Sequence, residues 1–328
     1  MSIGGYFGLE LNRGQAFHSG ALALSSARSC LEVILKARKI KILYIPYYTC
    51  EVVLEPITRL GIEIRYYNID YNFEIVNLPV LENGAALLYT NYFALKEDYI
   101  SRLYESYGSL LIVDNAQAFF SQRVEGVDTF YSPRKYFGVA DGGYLYADGV
   151  DISCYESDRS YDRMSHLLKR CDVSSEFGFN DFQDNDSKLC NRQVYQMSNI
   201  TNGILCSLDY DRVKGVRTAN FDYLHSNLKC YNELKLPDEY KFIPFVYPIM
   251  FRNACSLRDF LIGNRIYVAR YWPNVLSWCG PDTVEYDFAE NLVPLPIDQR
   301  YGLHEMQQIV MTINKYFENN AKSISIRR

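Results

Sequence analysis

In Leu110-Leu-Ile-Val-Asp114-Asn-Ala-Gln117, an apolar run ends at an aspartate, and this segment is the strongest indication of the fold class. Such a run is typical of a strand buried on both faces of a parallel sheet. Upstream, further short apolar runs alternate with helical patterns that end at glycines such as Gly61 and Gly108. This alternation predicts a three-layer α/β/α domain with a mostly parallel sheet. The predicted strands cover residues 40–45, 62–67, 85–90 and 110–113, and the predicted helices cover residues 25–37, 52–60 and 98–107.

Asp114 follows its predicted strand at the edge of the sheet where open α/β folds bind ligands. A carboxylate at that position can keep a pyridinium nitrogen protonated, which makes the ring an electron sink. Gln117, three residues later, would reach a ring hydroxyl if the strand turns into a helix. The alternative is that Asp114 only caps that helix, and the spacing alone favours the cap.

A second candidate is Lys135 in Ser132-Pro-Arg-Lys135-Tyr-Phe-Gly, which precedes a glycine pair at residues 142–143. Burial beside a second cation such as Arg134 would favour the neutral amine, a nucleophile that forms Schiff bases. The glycine pair predicts a turn or a close backbone approach before the next strand. The alternative is an exposed loop lysine.

A third candidate is Ser25-Ser26-Ala27-Arg28, at the start of the first predicted helix. Small hydroxyl residues at a helix N-terminus leave backbone amides free for a phosphate, and the helix dipole favours the anion. A plain serine N-cap is the alternative. The glycine signatures of dinucleotide and triphosphate sites are absent from the sequence.

Composition narrows the class of protein. Of the 328 residues, 48% are hydrophobic and 22% charged, which is ordinary for a globular protein. The net charge of -5 creates no basic field for nucleic acid, and no apolar run approaches the ~20 residues of a membrane span. The nine cysteines form no C-x-x-C pair, the four histidines lack ligand spacing, and the N-terminus lacks a secretion signal. We therefore expect a soluble cytoplasmic protein that binds no nucleic acid, membrane or metal.

The length predicts two domains, a large one over residues 1–206 and a smaller C-terminal α+β domain over residues 207–328. The pattern weakens over residues 151–202, where charge, Cys and Ser predict helix with exposed loops. Helical spacing over residues 207–228 predicts one long helix that joins the domains. Beyond it we predict a strand at residues 245–251 and helices at residues 256–263 and 304–316.

The order of these segments resembles the DegT-type (DegT/DnrJ/StrS-like) nucleotide-sugar aminotransferases, which are fold-type I enzymes that depend on pyridoxal 5′-phosphate (PLP). The likeness runs over most of the chain, and its two specific segments are D-N-A-Q and S-P-R-K with a downstream D-G-G. Supporting segments are S-S-A-R-S-C-L, I-P-Y-Y-T-C, R-x-x-N at Arg217 and Asn220, and Leu295-Pro-Ile-Asp-Gln-Arg-Tyr301.

The resemblance implies a role for each matching residue. Lys135 would carry PLP as a Schiff base and move protons between the donor and the cofactor. Asp114 would bind the pyridine nitrogen, and Gln117 would lie near the ring hydroxyl. The residues implied for the phosphate are Ser26, Ala27 and Ser132.

The implied reaction moves an amino group from an amino acid, expected to be glutamate, to a keto-sugar on a nucleotide. Its expected setting is surface polysaccharide or lipopolysaccharide synthesis. A second subunit of a homodimer would complete the site, with Asn199 or Asn202 as the contributing residue. Arg270-Tyr-Trp272 and Arg300-Tyr301 are candidates to bind a diphosphate or a donor carboxylate, and surface ion pairs are the alternative.

The chain departs from the family at three positions. Phe130 replaces a serine five residues before the lysine, so Ser132 is the possible substitute, and Asp141 replaces a glutamate before the glycine pair. Cys50 replaces the aromatic residue that stacks on the cofactor ring. Stacking would then come from Tyr48, Tyr92 or another residue.

These departures leave a second hypothesis open, that of a non-catalytic relative that acts as a binding or regulatory module. The joint presence of Asp114, Gln117 and Lys135 favours the enzyme, because a decayed site would not retain all three. The lysine also favours transamination over sugar dehydration, for which relatives have a histidine at that place.

Overall fold

The computed structural model describes residues 3–12, 14–252 and 254–325. Its main sheet is built from β1 Leu22–Leu24, β2 Ile42–Pro46, β3 Glu63–Tyr67, β4 Ala85–Thr90, β5 Leu111–Asn115, β6 Asp128–Tyr131 and β7 Gly143–Tyr146. The strand order is β1-β7-β6-β5-β4-β2-β3. Strands β3, β2, β4, β5 and β6 pair in parallel, and β7 is antiparallel to both β6 and β1.

The helices and the remaining strands follow in chain order. The helices are α1 Ala27–Ala37, α2 Leu54–Arg59, α3 Glu97–Tyr107, α4 Ser165–Asp172, α5 Phe179–Lys188, α6 Asn199–Cys206, α7 Tyr210–Leu228, α8 Ala254–Gly263, α9 Val275–Trp278, α10 Val284–Asn291 and α11 Leu303–Ser325. The antiparallel pair β8 Tyr247–Met250 and β9 Leu292–Leu295 forms a second, small sheet. Within the described residues, no helix has both the length and the apolar character needed to cross a membrane.

Apolar cores cover both faces of the main sheet. On β4, Ala86 and Leu88 belong to the core that includes Ile34 of α1, whereas Leu87 belongs to the core that includes Leu103 of α3. Successive side chains of a strand point to opposite faces, so each strand supplies both cores. The predicted three-layer fold with a mostly parallel sheet is therefore confirmed.

The C-terminal part has a core of its own around the small sheet. Leu224 of α7, Leu257 of α8 and Ile313 of α11 pack with Val293 of β9 in this core. This arrangement is the predicted smaller α+β unit.

The predicted long helix at the connection is α7, which ends at Leu228 as predicted and begins three residues later than predicted. Helix α6 ends at Cys206, and α7 begins at Tyr210 with Asp209 as its N-cap. Asp209 accepts a hydrogen bond from the amide of Arg212, which fixes the new helix start. The core of the large unit also includes Trp272, so the division at residues 206 and 207 stays a prediction.

Three short strands were not predicted, because strands of this length show no recognisable hydrophobic alternation. Strands β1, β6 and β9 have three or four residues each, too few for an alternation to be recognised. Strand β5 extends further than predicted and includes Asp114 as its fourth residue.

His18 fastens the N-terminal segment to the main sheet. Its Nε2 donates to the carbonyl of Phe119 at 2.7 Å, and its Nδ1 accepts from the hydroxyl of Tyr146 at 3.2 Å. Burial lowers the pKa of His18 from 6.5 to about 4, against the opposing effect of the Phe119 carbonyl. The folded protein therefore holds this imidazole neutral.

A neutral, buried histidine makes folding depend on pH. Between pH 6.5 and 4 the unfolded chain binds a proton at His18 that the folded chain does not, so stability falls as the pH falls. Wild type should lose roughly 3 kcal/mol more than His18→Gln over this interval, a difference that urea unfolding at several pH values measures. Equal pH dependence of the two proteins would contradict a buried neutral His18.

Candidate active site

Lys135 lies on a short turn directly after the parallel strand β6. Residues Pro133–Lys135 form a single 3-10 turn, in which the carbonyl of Pro133 accepts the amides of Tyr136 and Phe137, both at 2.9 Å. The side chain of Lys135 is exposed, whereas one alternative from the sequence was burial beside Arg134. Arg134 donates instead to Asp186 of α5 at 3.0 Å. Of the two alternatives for this lysine, the structure therefore shows the exposed one.

Asp114 is buried at the carboxyl end of β5. Its Oδ1 accepts the amide of Ala116 at 2.8 Å, and no other described residue donates a hydrogen bond to this carboxylate. Burial raises the pKa of Asp114, and the nearby charge of Lys135 acts in the opposite direction. A buried carboxylate that accepts a single hydrogen bond favours a further cationic or N–H partner.

Gln117 holds a buried donor without a partner. Its Oε1 accepts the amide of Phe93 at 3.1 Å, while its Nε2 is buried and bonds to no described residue. An unpaired buried amide costs about 1–3 kcal/mol, so a ligand oxygen at this point would be bound favourably. The carbonyl of Gln117 accepts the hydroxyl of Tyr136 at 2.8 Å, which connects this residue to the Lys135 turn.

The start of α1 lies against the start of β7. Ser26 is the N-cap of α1, and its Oγ accepts the amide of Ser29 at 3.1 Å, as the capping alternative proposed. The first amides of the helix, starting with Ala27, have no intrahelical acceptor. A Cβ on Gly143 would lie 2.5 Å from the carbonyl oxygen of Ser26 and 2.8 Å from the amide of Ala27, so only glycine fits here. A capped helix start with free amides suits a phosphate.

Ser132 lies beside the helix start, whereas Phe130 belongs to the core. Phe130 points from β6 into the core on the α1 side of the sheet. Ser132, two residues later and still extended, is buried, and its hydroxyl bonds to no described residue. The strand alternation therefore places the hydroxyl of Ser132 on the α1 side of the sheet, where the sequence predicted a substitute serine.

The stacking residue is not Tyr48 or Tyr92. Both are fully buried, and the ring of Tyr48 contacts Tyr92, Trp272 and Phe288 at centroid distances of 5.5, 4.9 and 5.2 Å. Neither ring has a surface available to a ligand, so the prediction that Tyr48 binds the cofactor ring is wrong. Cys50 lies closer to the site, because the charges of Lys135 and Asp114 both act on its thiol, whose pKa burial raises.

A cavity of about 690 Å³ opens beside Lys135. It has the size of a typical small-molecule site. Its cationic lining residues are Arg134, Lys135, Arg170, Arg217 and Arg300, and its aromatic ones include Phe179, Phe182 and Tyr267. Lys135 lines this cavity, whereas Asp114, Gln117 and Ser26 do not.

Arg217 is a buried cation in the wall of this cavity. It is only 1% exposed, and burial lowers the pKa of its guanidinium. Among the described residues it forms no salt bridge; its Nη1 donates to the carbonyls of Pro244 and Phe245 at 3.3 and 3.0 Å. A guanidinium of this kind is suited to a ligand carboxylate or phosphate.

Two further segments were predicted to bind a ligand, residues 270–272 and residues 300–301, and only the second contributes to the cavity wall. Arg300 lines it and pairs with Asp298 at 2.6 Å. Arg270 donates instead to Cys255 at 3.2 Å, and Trp272 packs on Tyr48.

Several lining residues were missed from the sequence. They lie on α4, on α5 and in the loop before α11, for example Arg170, Phe182 and Gln299. The sequence feature that could have indicated them is a set of aromatic residues, Phe177-Gly-Phe-Asn-Asp-Phe182. It lies within the charged segment for which helix with exposed loops was predicted.

Comparisons with known proteins identify the fold. No family model matches the chain, and no curated protein matches it. Solved structures do match. A DegT/DnrJ/EryC1/StrS aminotransferase from Brucella abortus is 15% identical with a TM-score of 0.63, covering 90% of this chain and 85% of its own.

Two further structures match at similar levels. The sugar aminotransferase CalS13 from Micromonospora echinospora is 16% identical with a TM-score of 0.60, covering 90% of this chain and 87% of its own. NtdA from Bacillus subtilis, solved with bound PMP, is 13% identical with a TM-score of 0.63, covering 90% and 72%. The chain therefore has the fold-type I architecture of these aminotransferases, as the sequence predicted.

The close contact at Gly143 gives a direct test of the helix start. Gly143→Ala would push a methyl group against the backbone of Ser26 and Ala27. We expect the free energy of unfolding to fall by about 1–3 kcal/mol, measured in urea.

The matched control is Gly215→Ala within α7, where nothing lies within 4 Å of an added Cβ. This change should leave stability unchanged or raise it by up to about 1 kcal/mol, because alanine is the better helix former. An equal effect of both substitutions would argue against a tight contact at Gly143.

Proposed function

We propose that this protein is a PLP-dependent aminotransferase that transfers an amino group from an amino acid to a keto-sugar carried on a nucleotide. The observation that carries the proposal is that three groups suited to PLP follow two neighbouring parallel strands, with the charge of Lys135 acting on the carboxylate of Asp114. They are the exposed amine of Lys135, the buried carboxylate of Asp114 and the unpaired Nε2 of Gln117.

The residues present fit PLP at each of its polar groups. Asp114 would hold the ring nitrogen in its protonated form, and that cation would in turn stabilise the buried carboxylate. The Nε2 of Gln117 would donate to the ring hydroxyl. The amides at the start of α1, with Ser26 and Ser132, would hold the phosphate. When bound, PLP supplies an electron sink that allows the Cα–H bond of an amino acid to break.

Lys135 has two tasks in this account. Its Nζ would bind the cofactor's aldehyde carbon, and as a free amine it would move a proton at the substrate's Cα. Its exposure suits the second task, because Nζ must face the substrate in the cavity. Tyr136 holds the turn, because its hydroxyl donates a hydrogen bond to the carbonyl of Gln117. This bond fixes the spacing between the turn that carries Lys135 and the residue that would contact the ring hydroxyl.

The cavity supports an anionic substrate larger than a free amino acid. Arg170, Arg217 and Arg300 bring guanidinium groups to its wall, and these suit a donor carboxylate or a diphosphate. Aromatic side chains of α5 supply flat surfaces for a base or a sugar ring. Glutamate as donor and a nucleotide-linked sugar as acceptor match this lining. The sugar aminotransferase CalS13, which has a similar fold, supports a sugar as the acceptor.

We further propose a homodimer whose subunits complete each other's sites. Asn199 and Asn202, at the first turns of α6, are exposed in the single chain and available to a partner. The helix that carries them is bonded to Asp141, next to the glycine pair of the site. The expected location is the cytoplasm, and the expected setting is surface polysaccharide or lipopolysaccharide synthesis.

The covalent role of Lys135 is tested with a visible spectrum. Wild type mixed with PLP should show a yellow absorbance band that excess glutamate bleaches, because the amine form of the cofactor does not absorb there. Lys135→Ala should lose the band, and its kcat with a keto-sugar acceptor should fall by about 10²–10⁴-fold.

The matched control is Lys235→Ala, which removes an exposed lysine of the C-terminal part. It should behave as wild type in both measurements. A colourless wild type that PLP does not stabilise against heat would favour the non-catalytic alternative.

A further inference from the structure

Tyr136, the residue after Lys135, makes three contacts that hold it in place. The hydroxyl of Tyr136 donates to the carbonyl of Gln117, and the guanidinium of Arg217 lies 4.4 Å from the centre of its ring. The carbonyl of Tyr136 accepts the Nε2 of Gln299 at 2.7 Å. Two of these three contacts come from residues of the C-terminal part, which lies more than 80 positions downstream in the sequence.

Gln299 connects the Lys135 turn to the buried Arg217. Its Nε2 donates to the turn, and its Oε1 accepts the Nε of Arg217 at 3.2 Å. Arg217 directs its Nη1 to two carbonyls and none of its nitrogens to a carboxylate of the described residues. The side-chain amide of Gln299 therefore joins Arg217 to the backbone of the turn by hydrogen bonds, in addition to the contact of the guanidinium with the Tyr136 ring.

Asn220 fixes the loop that carries Gln299. It lies three residues after Arg217 on α7, and the two side chains share one face of the helix. Its Nδ2 donates to the carbonyls of Ile297 and Tyr301 at 3.1 and 3.0 Å. The R-x-x-N segment and the Leu295–Tyr301 segment are thus joined through hydrogen bonds of Asn220.

We infer that Gln299 is a positioning residue for Lys135. The inference rests on the proposed function, in which the Nζ of Lys135 meets both the cofactor and the substrate. A turn of three residues has few contacts of its own, and an exposed lysine takes its direction from the backbone that carries it. By bonding the next carbonyl, Gln299 sets the direction of that backbone from the C-terminal side of the cavity.

Two substitutions separate the two bonds of Gln299. Gln299→Leu removes both at nearly constant size. Gln299→Glu keeps an acceptor for Arg217 but places a carboxylate oxygen against the carbonyl of Tyr136. Gln307→Leu is the control, because it makes the same change on an exposed glutamine of α11.

The readouts distinguish positioning from general structural damage. With PLP bound, both Gln299 variants should lower kcat for the glutamate half-reaction by about 10- to 100-fold, while KM changes much less. The pH midpoint of the cofactor's visible absorbance should shift in both variants and stay unchanged in Gln307→Leu. If Gln299→Leu does not fold, Gln299→Glu gives the same comparison, since its contact with Arg217 remains.

A cofactor-free readout keeps this inference separate from the proposed function. In protein without PLP, formaldehyde and borohydride methylate exposed lysines, and mass spectrometry gives the rate at Lys135 relative to exposed Lys235. Both Gln299 variants should change this ratio, and the control should not. If wild type mixed with PLP shows no visible band, the proposed function is rejected. The methylation ratio would still test whether Gln299 positions Lys135.

Two results would overturn the inference. One is an unchanged absorbance midpoint and an unchanged methylation ratio in both variants. The other is a loss of thermal stability with kcat, spectrum and methylation ratio as in wild type, which would make Gln299 a structural contact only.

Discussion

The contact between the start of β7 and the start of α1 is the constraint on which the site depends. The amide of Gly142 donates to the carbonyl of Ser25 at 2.7 Å, and Gly143 leaves no room for a Cβ against Ser26. Gly142 also lies against Pro133, since a Cβ there would be 2.8 Å from the proline ring. One glycine pair therefore fixes the distance between the helix start that suits a phosphate and the turn that carries the lysine.

A buried carboxylate holds this glycine pair in place. Asp141 is fully buried and accepts the amide of Ser198 at 2.8 Å and its hydroxyl at 2.7 Å, together with the hydroxyl of Thr201. All three donors stand at the start of α6, so the carboxylate also caps that helix. The shorter aspartate, which replaces a glutamate of the resembled family, thus has a complete set of partners of its own.

Much of the fold could be predicted because its signals are local. The apolar run of β5, the glycines after α2 and α3 and the periodicity of α1 each lie within a dozen residues. Parallel topology then brings the ends of β5 and β6 to the same edge, so Asp114 and Lys135 could be expected near each other. The parallel pairing of β5 with β6 agrees with this topology.

The remainder depends on contacts between distant parts of the chain. Tyr48 was predicted to stack on the cofactor, but Trp272 and Phe288 cover its ring from more than 200 residues downstream. The exposure of Lys135 follows from a turn too short to leave a pattern. The link from Gln299 to that turn spans 163 residues. No periodicity or spacing within a single segment encodes such contacts.

The central claim is that Lys135 holds PLP covalently, and the most direct measurement locates the bond. The protein is incubated with PLP, reduced with borohydride, digested and analysed by mass spectrometry. The account predicts one major modified peptide, with the pyridoxyl group on Lys135. A label spread over exposed lysines, or concentrated on a different one, would contradict the assignment of this site.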